Sequence, residues 1–285
     1  MAQHQGTPCR QTRNRPLTGE LMGARNRKLS TAEFLLQHPC CCFCGGRRPA
    51  VERDHAPARI VFRGKHGPDQ FEFPACAECN RAVALSEQVT AFYMRSIDQS
   101  YQTLEEEEYQ KLIDGIVNNA PDALPYQDRS RPPAPYTRYI APDAEERTVS
   151  IPEIAKAHLE LFGTKMLYAM YYRVTGTPAS SSLRRLVHWA QAGTPAADQI
   201  RLNASRWFDD LQVAKRPNVD LGNQFRYQTG HNSAHGYLGL HMSFGEALVY
   251  FCVLGPAREM IRLKPKPELY QTIKALGDRI SVRKP

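Results

Sequence analysis

The sequence predicts an α+β protein: a small cysteine-rich unit, then helices, then a domain of helix plus antiparallel sheet. Three observations predict it. Apolar residues recur at helical spacing over residues 86–120 and 151–174. Segments 224–228, 236–242 and 247–254 are rich in aromatic and aliphatic residues and bounded by Gly, Asn and Ser, the pattern of antiparallel strands. Six of the eight cysteines, at positions 40, 41, 42, 44, 76 and 79, crowd ahead of the first long helix.

Residues 1–28 carry Arg10, Arg13, Arg15, Arg25, Arg27 and Lys28 with few large apolar side chains, and read as a basic flexible arm. A first domain spans residues 29–120. It opens with a short helix, because Ser30 followed three residues later by Glu33 fits a capping box. Phe34, Leu35 and Leu36 then supply an apolar face, and Pro39 stops the helix. Beyond the cysteines, one helix runs through Phe92, Tyr93 and Met94. A second starts at Thr103, with Glu106 in capping position, and continues through Tyr109, Leu112, Ile113 and Ile116. The acidic run 105–108 lies in its first turn, where the helix dipole favours negative charge. Prolines 121, 125, 132, 133, 135 and 142 make residues 121–143 an extended linker and a domain boundary. The C-terminal domain, 144–285, begins with a long helix over 151–174, capped from Ser150 and Glu153. A shorter helix over 182–191, the three strands and a closing helix over 267–276 complete it.

With 37 Lys and Arg against 29 Asp and Glu, the net charge is +8, which favours polyanionic partners through counterion release. Mean hydropathy is −0.51, and no apolar run approaches the ~20 residues that span a bilayer. The polar, basic start resembles no secretory signal, so the expectation is a cytoplasmic protein without a membrane partner. Composition does not specify the oligomeric state.

Cys41-x-x-Cys44, followed by Gly45 and Gly46, and Cys76-x-x-Cys79 form two pairs with metal-ligand spacing. Four thiolates from Cys41, Cys44, Cys76 and Cys79 close a tetrahedral zinc site, with Cys40 and Cys42 competing for places in the first pair. Such a zinc is structural, since all four positions are filled. Chemistry must then come from the intervening Arg53-Asp54-His55-Ala56-Pro57 and from Asn80-Arg81 after the second pair. Adjacent strand side chains point in different directions. Asp54 can therefore hold a hard cation while His55 stays free as a base. His231, His235 and His241, spaced over a loop and strand with no carboxylate near, do not by themselves define a second metal site.

The order of these motifs resembles the HNH endonuclease family, in its subgroup with a four-cysteine zinc site. The resemblance covers residues 41–81. It implies a ββα-metal fold, a hairpin and helix pinching one divalent cation. It also implies metal-dependent hydrolysis of nucleic acid, DNA in preference to RNA. His55 would be the general base, with Asp54 and Asn80 ligands to Mg²⁺, Mn²⁺ or another divalent cation that holds the scissile phosphate. Arg53 and Arg81 would bind phosphate oxygens. The family's middle asparagine has no counterpart here; His66, Asp69 and Gln70 are the polar residues placed to replace it. The competing expectation is a non-catalytic zinc module that binds nucleic acid or protein. Geometry separates the two. A nuclease needs Asp54 and Asn80 to converge on one cation with His55 beside it, whereas burial or divergence of these side chains favours the binding module.

Overall fold

The protein's computed structural model describes residues 29–98, 106–125, 151–205, 208, 212–213, 215–216 and 219–260. The basic arm 1–28, most of the Pro-rich segment, Thr103, Ser150 and the closing helix expected over 267–276 lie outside the described residues.

Helix α1 (Thr31–Gln37) starts as its sequence dictates. The Glu33 amide donates to Ser30 Oγ at 3.2 Å, and the Ser30 amide donates to Glu33 Oε2 at 2.8 Å. Strands β1 (Glu52–His55) and β2 (Glu72–Ala75) pair antiparallel, with Asp54 opposite Phe73 and His55 opposite Glu72. Two short 3₁₀ turns, Arg59–Val61 and Arg63–Lys65, occupy the connection between them. Helix α2 (Ala77–Ile97) starts nine residues before the apolar periodicity announces it. Its first turn carries the second cysteine pair, whose polar, metal-ligand spacing hides the helical pattern. Helix α3 (Glu106–Asn119) follows.

Helix α4 (Glu153–Thr175) is the centre of the molecule and ends where Gly176 takes a left-handed C-cap with φ +71°. It is buried nearly all round. One side meets α2, and another lies on a five-stranded antiparallel sheet of order β3–β9–β8–β7–β4. The strands are β3 (Leu183–Gln191), β4 (Gln212–Val213), β7 (Arg226–Asn232), β8 (Tyr237–Phe244) and β9 (Leu248–Pro256). A separate ribbon joins β5 (Lys215–Arg216) to β6 (Val219–Asp220). On β9, Leu248, Tyr250, Cys252 and Leu254 face the α4 side. Val249, Phe251 and Val253 face α5 (Pro195–Ser205) through Ala197, Ile200 and Ala204. The period-2 alternation thus feeds two helical layers, one on each face.

Two expectations change. Where a helix is expected over 182–191, strand β3 runs from Leu183 to Gln191, paired residue for residue with β9 from Leu183 opposite Pro256 to Gln191 opposite Leu248. A short apolar run suits either state, and the nine-residue ladder decides it. The Pro-rich segment also does not separate two cores. One continuous apolar cluster holds Phe43, Phe73 and Phe92 together with Phe162, Phe225 and Tyr250.

Candidate metal centre

Cys41, Cys44, Cys76 and Cys79 are buried, and their sulfurs all lie within 4.8 Å of one another. The local chain explains the convergence. After Cys41 the backbone turns through Gly45 and Gly46, at φ +69° and +72°, and the Gly46 amide returns to Cys41 O at 3.0 Å. The Cys42 amide donates to Pro74 O at 3.0 Å, docking the first pair on β2, while Cys76 and Cys79 sit at the N-cap and first turn of α2. The hydrogen bond with Cys41 leads the effects that hold Cys76 below the ordinary thiol range and Cys44 down to about 7. Cys41 is pushed up by its bonds to Cys44, Cys76 and Cys79, and Cys79 is raised because Cys44, Cys76 and burial outweigh the pull of Cys41. The quartet can hold a metal ion such as zinc. Cys42 lies outside it: complete burial pushes its thiol well up.

Asp54 is placed otherwise than a catalytic ligand. Its side chain is buried, with Oδ2 2.6 Å from the ammonium of Lys165 on α4. Lys165 also donates to Glu87 on α2 and, at 3.3 Å, to the backbone carbonyl of His55, and lies 5.4 Å from the Phe43 ring centre. A fully buried lysine therefore sits between two carboxylates from different elements. Burial opposes its charge, but Asp54 and Glu87 outweigh that and raise its pKa. Burial also pushes Glu87 up to about 7, against the pull of Lys165.

The other residues diverge as strand geometry requires. Glu52 and Asp54 share one face of β1, while Arg53 and His55 share the other. Asn80, in the first turn of α2, donates its amide to Glu52 rather than meeting Asp54. His55 Nε2 lies 3.3 Å from Glu72 Oε1, directly across the hairpin, and its side chain keeps 23% exposure. Arg53 is consumed structurally: it pairs with Glu72 at 2.5 Å, donates to Leu29 O at 2.7 Å and stacks over Phe34. Arg81 is exposed. His66, Asp69 and Gln70 are tied to the C-terminal half, through Arg216, the Lys215 carbonyl and Arg173 respectively.

The expected cation site at Asp54 and Asn80 therefore does not fit this arrangement. A divalent ion at Asp54 would stand against a buried ammonium, where like charges repel strongly because little solvent screens them. Sequence reasoning missed Lys165 and Glu87. A lysine amid the apolar residues of 159–170 is a visible signal, but its partners are 78 and 111 positions away and carry no local mark. The C-terminal histidines do not gather either. His241 bonds Gln228 Oε1 at 3.0 Å, while His231 and His235 pack against Tyr171 and Tyr237.

Among the described residues, no helix is long and apolar enough to cross a membrane. No protein-family model, curated protein or solved structure matches the chain.

Proposed function

We propose that the protein is a zinc-stapled nucleic-acid-binding module with an HNH-like order of parts, whose Asp54 position is closed by a lysine instead of holding a catalytic cation. The observation that carries this reading is the Lys165 ammonium between Asp54 and Glu87, covered by α4. Zinc suits the four buried thiols, which fill its tetrahedral shell and staple the first pair to the start of α2. The +8 charge supplies the attraction to phosphate, and Arg81 offers an exposed guanidinium beside the staple.

A second reading, hydrolysis of nucleic acid with His55 as base, is favoured by one observation. The half-buried His55 ring is oriented by Glu72, as a general base is oriented by a carboxylate. One experiment separates the two. Purified protein is given plasmid and single-stranded DNA with Mg²⁺, Mn²⁺ or no added metal, beside His55→Ala, and both binding and cleavage are scored. Retention of DNA without strand breaks in any condition is the expected result. Metal-dependent nicking, lost in His55→Ala while zinc is retained, would replace the binding reading with the nuclease.

A further inference from the structure

The connection between β1 and β2 does more than join two strands. Its middle is anchored: Phe62 is fully buried with its ring edge-on to Phe225 at 6.1 Å, and the Arg63 amide donates to Gln224 Oε1 at 3.0 Å. Past that anchor the chain takes two successive left-handed residues, Gly64 and Lys65, both at φ 56°. For a residue with a Cβ this conformation is unfavourable, so the surrounding fold holds Lys65 in it. Lys65 and His66 are exposed.

A second basic segment from far along the chain is fastened to the same place. Arg216 NH1 donates to His66 Nδ1 at 3.0 Å, and the Asp69 amide donates to the Lys215 carbonyl at 3.2 Å. Strand β5 thereby sets Lys215 and Arg216 beside Lys65 and His66 across 150 positions of sequence. In that contact the Arg216 guanidinium meets a histidine nitrogen and not a carboxylate. Among the described residues, Asp69 brings an acidic side chain to the same place, and in register Lys215 stands opposite Asp220 on β6.

We infer that the β1–β2 connection and β5 together form the surface that receives the phosphodiester backbone of nucleic acid, with Lys65 and Arg216 contacting phosphates. The inference rests on the nucleic-acid reading above and deepens it by naming the surface. Two cations from separate segments, one on a fixed backbone and one bonded to His66, suit a repeating polyanion, whose successive phosphates offer equally spaced partners.

The test is the salt dependence of binding. A fluorescein-labelled 20-base-pair duplex is titrated with the full chain at 50 and 200 mM NaCl, followed by anisotropy. Variants are Lys65→Asn with Arg216→Gln, and a control that removes the same charge, Lys111→Gln with Lys156→Gln, on exposed helical positions. Asn at 65 keeps a residue that tolerates the left-handed conformation. Each phosphate contact contributes about 0.9 to the salt slope. The wild type should therefore lose roughly tenfold more affinity between the two salt levels than the Lys65/Arg216 variant. The control should follow the wild type, and thermal melts should be unchanged in all three. Equal losses in the two variants, or none in the Lys65/Arg216 variant, would overturn the surface while leaving nucleic-acid binding intact. No binding by the wild type at 50 mM would overturn both. Binding to phosphatidylserine vesicles that depends on Lys65 and Arg216, without duplex binding, would assign the surface to a membrane instead.

Discussion

Replacing Lys165 by methionine keeps the length of the side chain and removes one charge from the middle of the fold. Lys165 is completely buried, and its ammonium faces Asp54 at 2.6 Å and Glu87. Without it two carboxylates from β1 and α2 are left in the interior with no countercharge. Deleting one member of a buried ion pair costs about 3–5 kcal/mol, because the remaining charge stays desolvated. At roughly 2–4 °C per kcal/mol for a chain of this size class, the melting temperature should fall on the order of 10 °C. The loss should be smaller at pH 5.5 than at pH 8, since Glu87, already pushed up to about 7 by burial, is protonated at the lower pH and leaves one orphaned charge fewer. Circular dichroism melts at the two pH values, with urea unfolding for the free energy, measure it. Adding Asp54→Asn and Glu87→Gln to Lys165→Met removes the orphaned charges and should recover most of the stability. A single variant within ~1 kcal/mol of wild type, or a triple variant no better than the single, would refute the claim that Lys165 is the countercharge of this site.

Three further outcomes follow from the same geometry. Purified protein should release one equivalent of zinc when its thiols are titrated, and Cys79→Ser should carry none and show faster amide exchange at residues 41–46; a zinc-free wild type with equal protection would sink the staple. Gly163→Ala should destabilise by about 1–3 kcal/mol in urea despite alanine's better helix propensity, because a Cβ there would lie 2.8 Å from Val187 and 2.9 Å from Tyr250; unchanged stability would show that α4 can lift off the sheet. Burial pushes His158 down to about 4, and burial with Arg201 does the same to His241, so between about pH 6.5 and 4 the unfolded chain binds more protons at these sites and stability present at neutral pH drains away. Glu87, raised to about 7, works in the opposite direction over much of that range, since the folded chain then holds the extra proton. At these three sites the two histidines outweigh the glutamate, and His158→Gln, which keeps a partner for Ser86, should make the loss toward acid shallower; an identical pH profile would contradict it.

Much of the architecture is legible from local chemistry. The capping box at Ser30, the ligand spacing of Cys41, Cys44, Cys76 and Cys79, the long helix after residue 150 and the three strands of the C-terminal sheet depend on neighbours within a few residues. Residues 182–191 show where this stops. The strand exists because β9 offers nine consecutive partners, and nothing within the segment announces them. The early start of α2 is hidden for a related reason, since the cysteine pair and polar residues of its first turn mask the apolar period.

The amino-acid sequence by itself determined which residues could do chemistry: four thiols spaced for a metal, Asp54 beside His55, and Asn80 after the last cysteine. Only the tertiary structure decided what surrounds them. Strand alternation sends Asp54 and His55 to opposite faces of β1, and the packing of α4 on α2 delivers Lys165 to Asp54 from 111 residues away. Ligand spacing is a short-range property written in the order of residues. The charge that meets a carboxylate in the interior is set by which helix packs over it, and that is settled when the whole core closes.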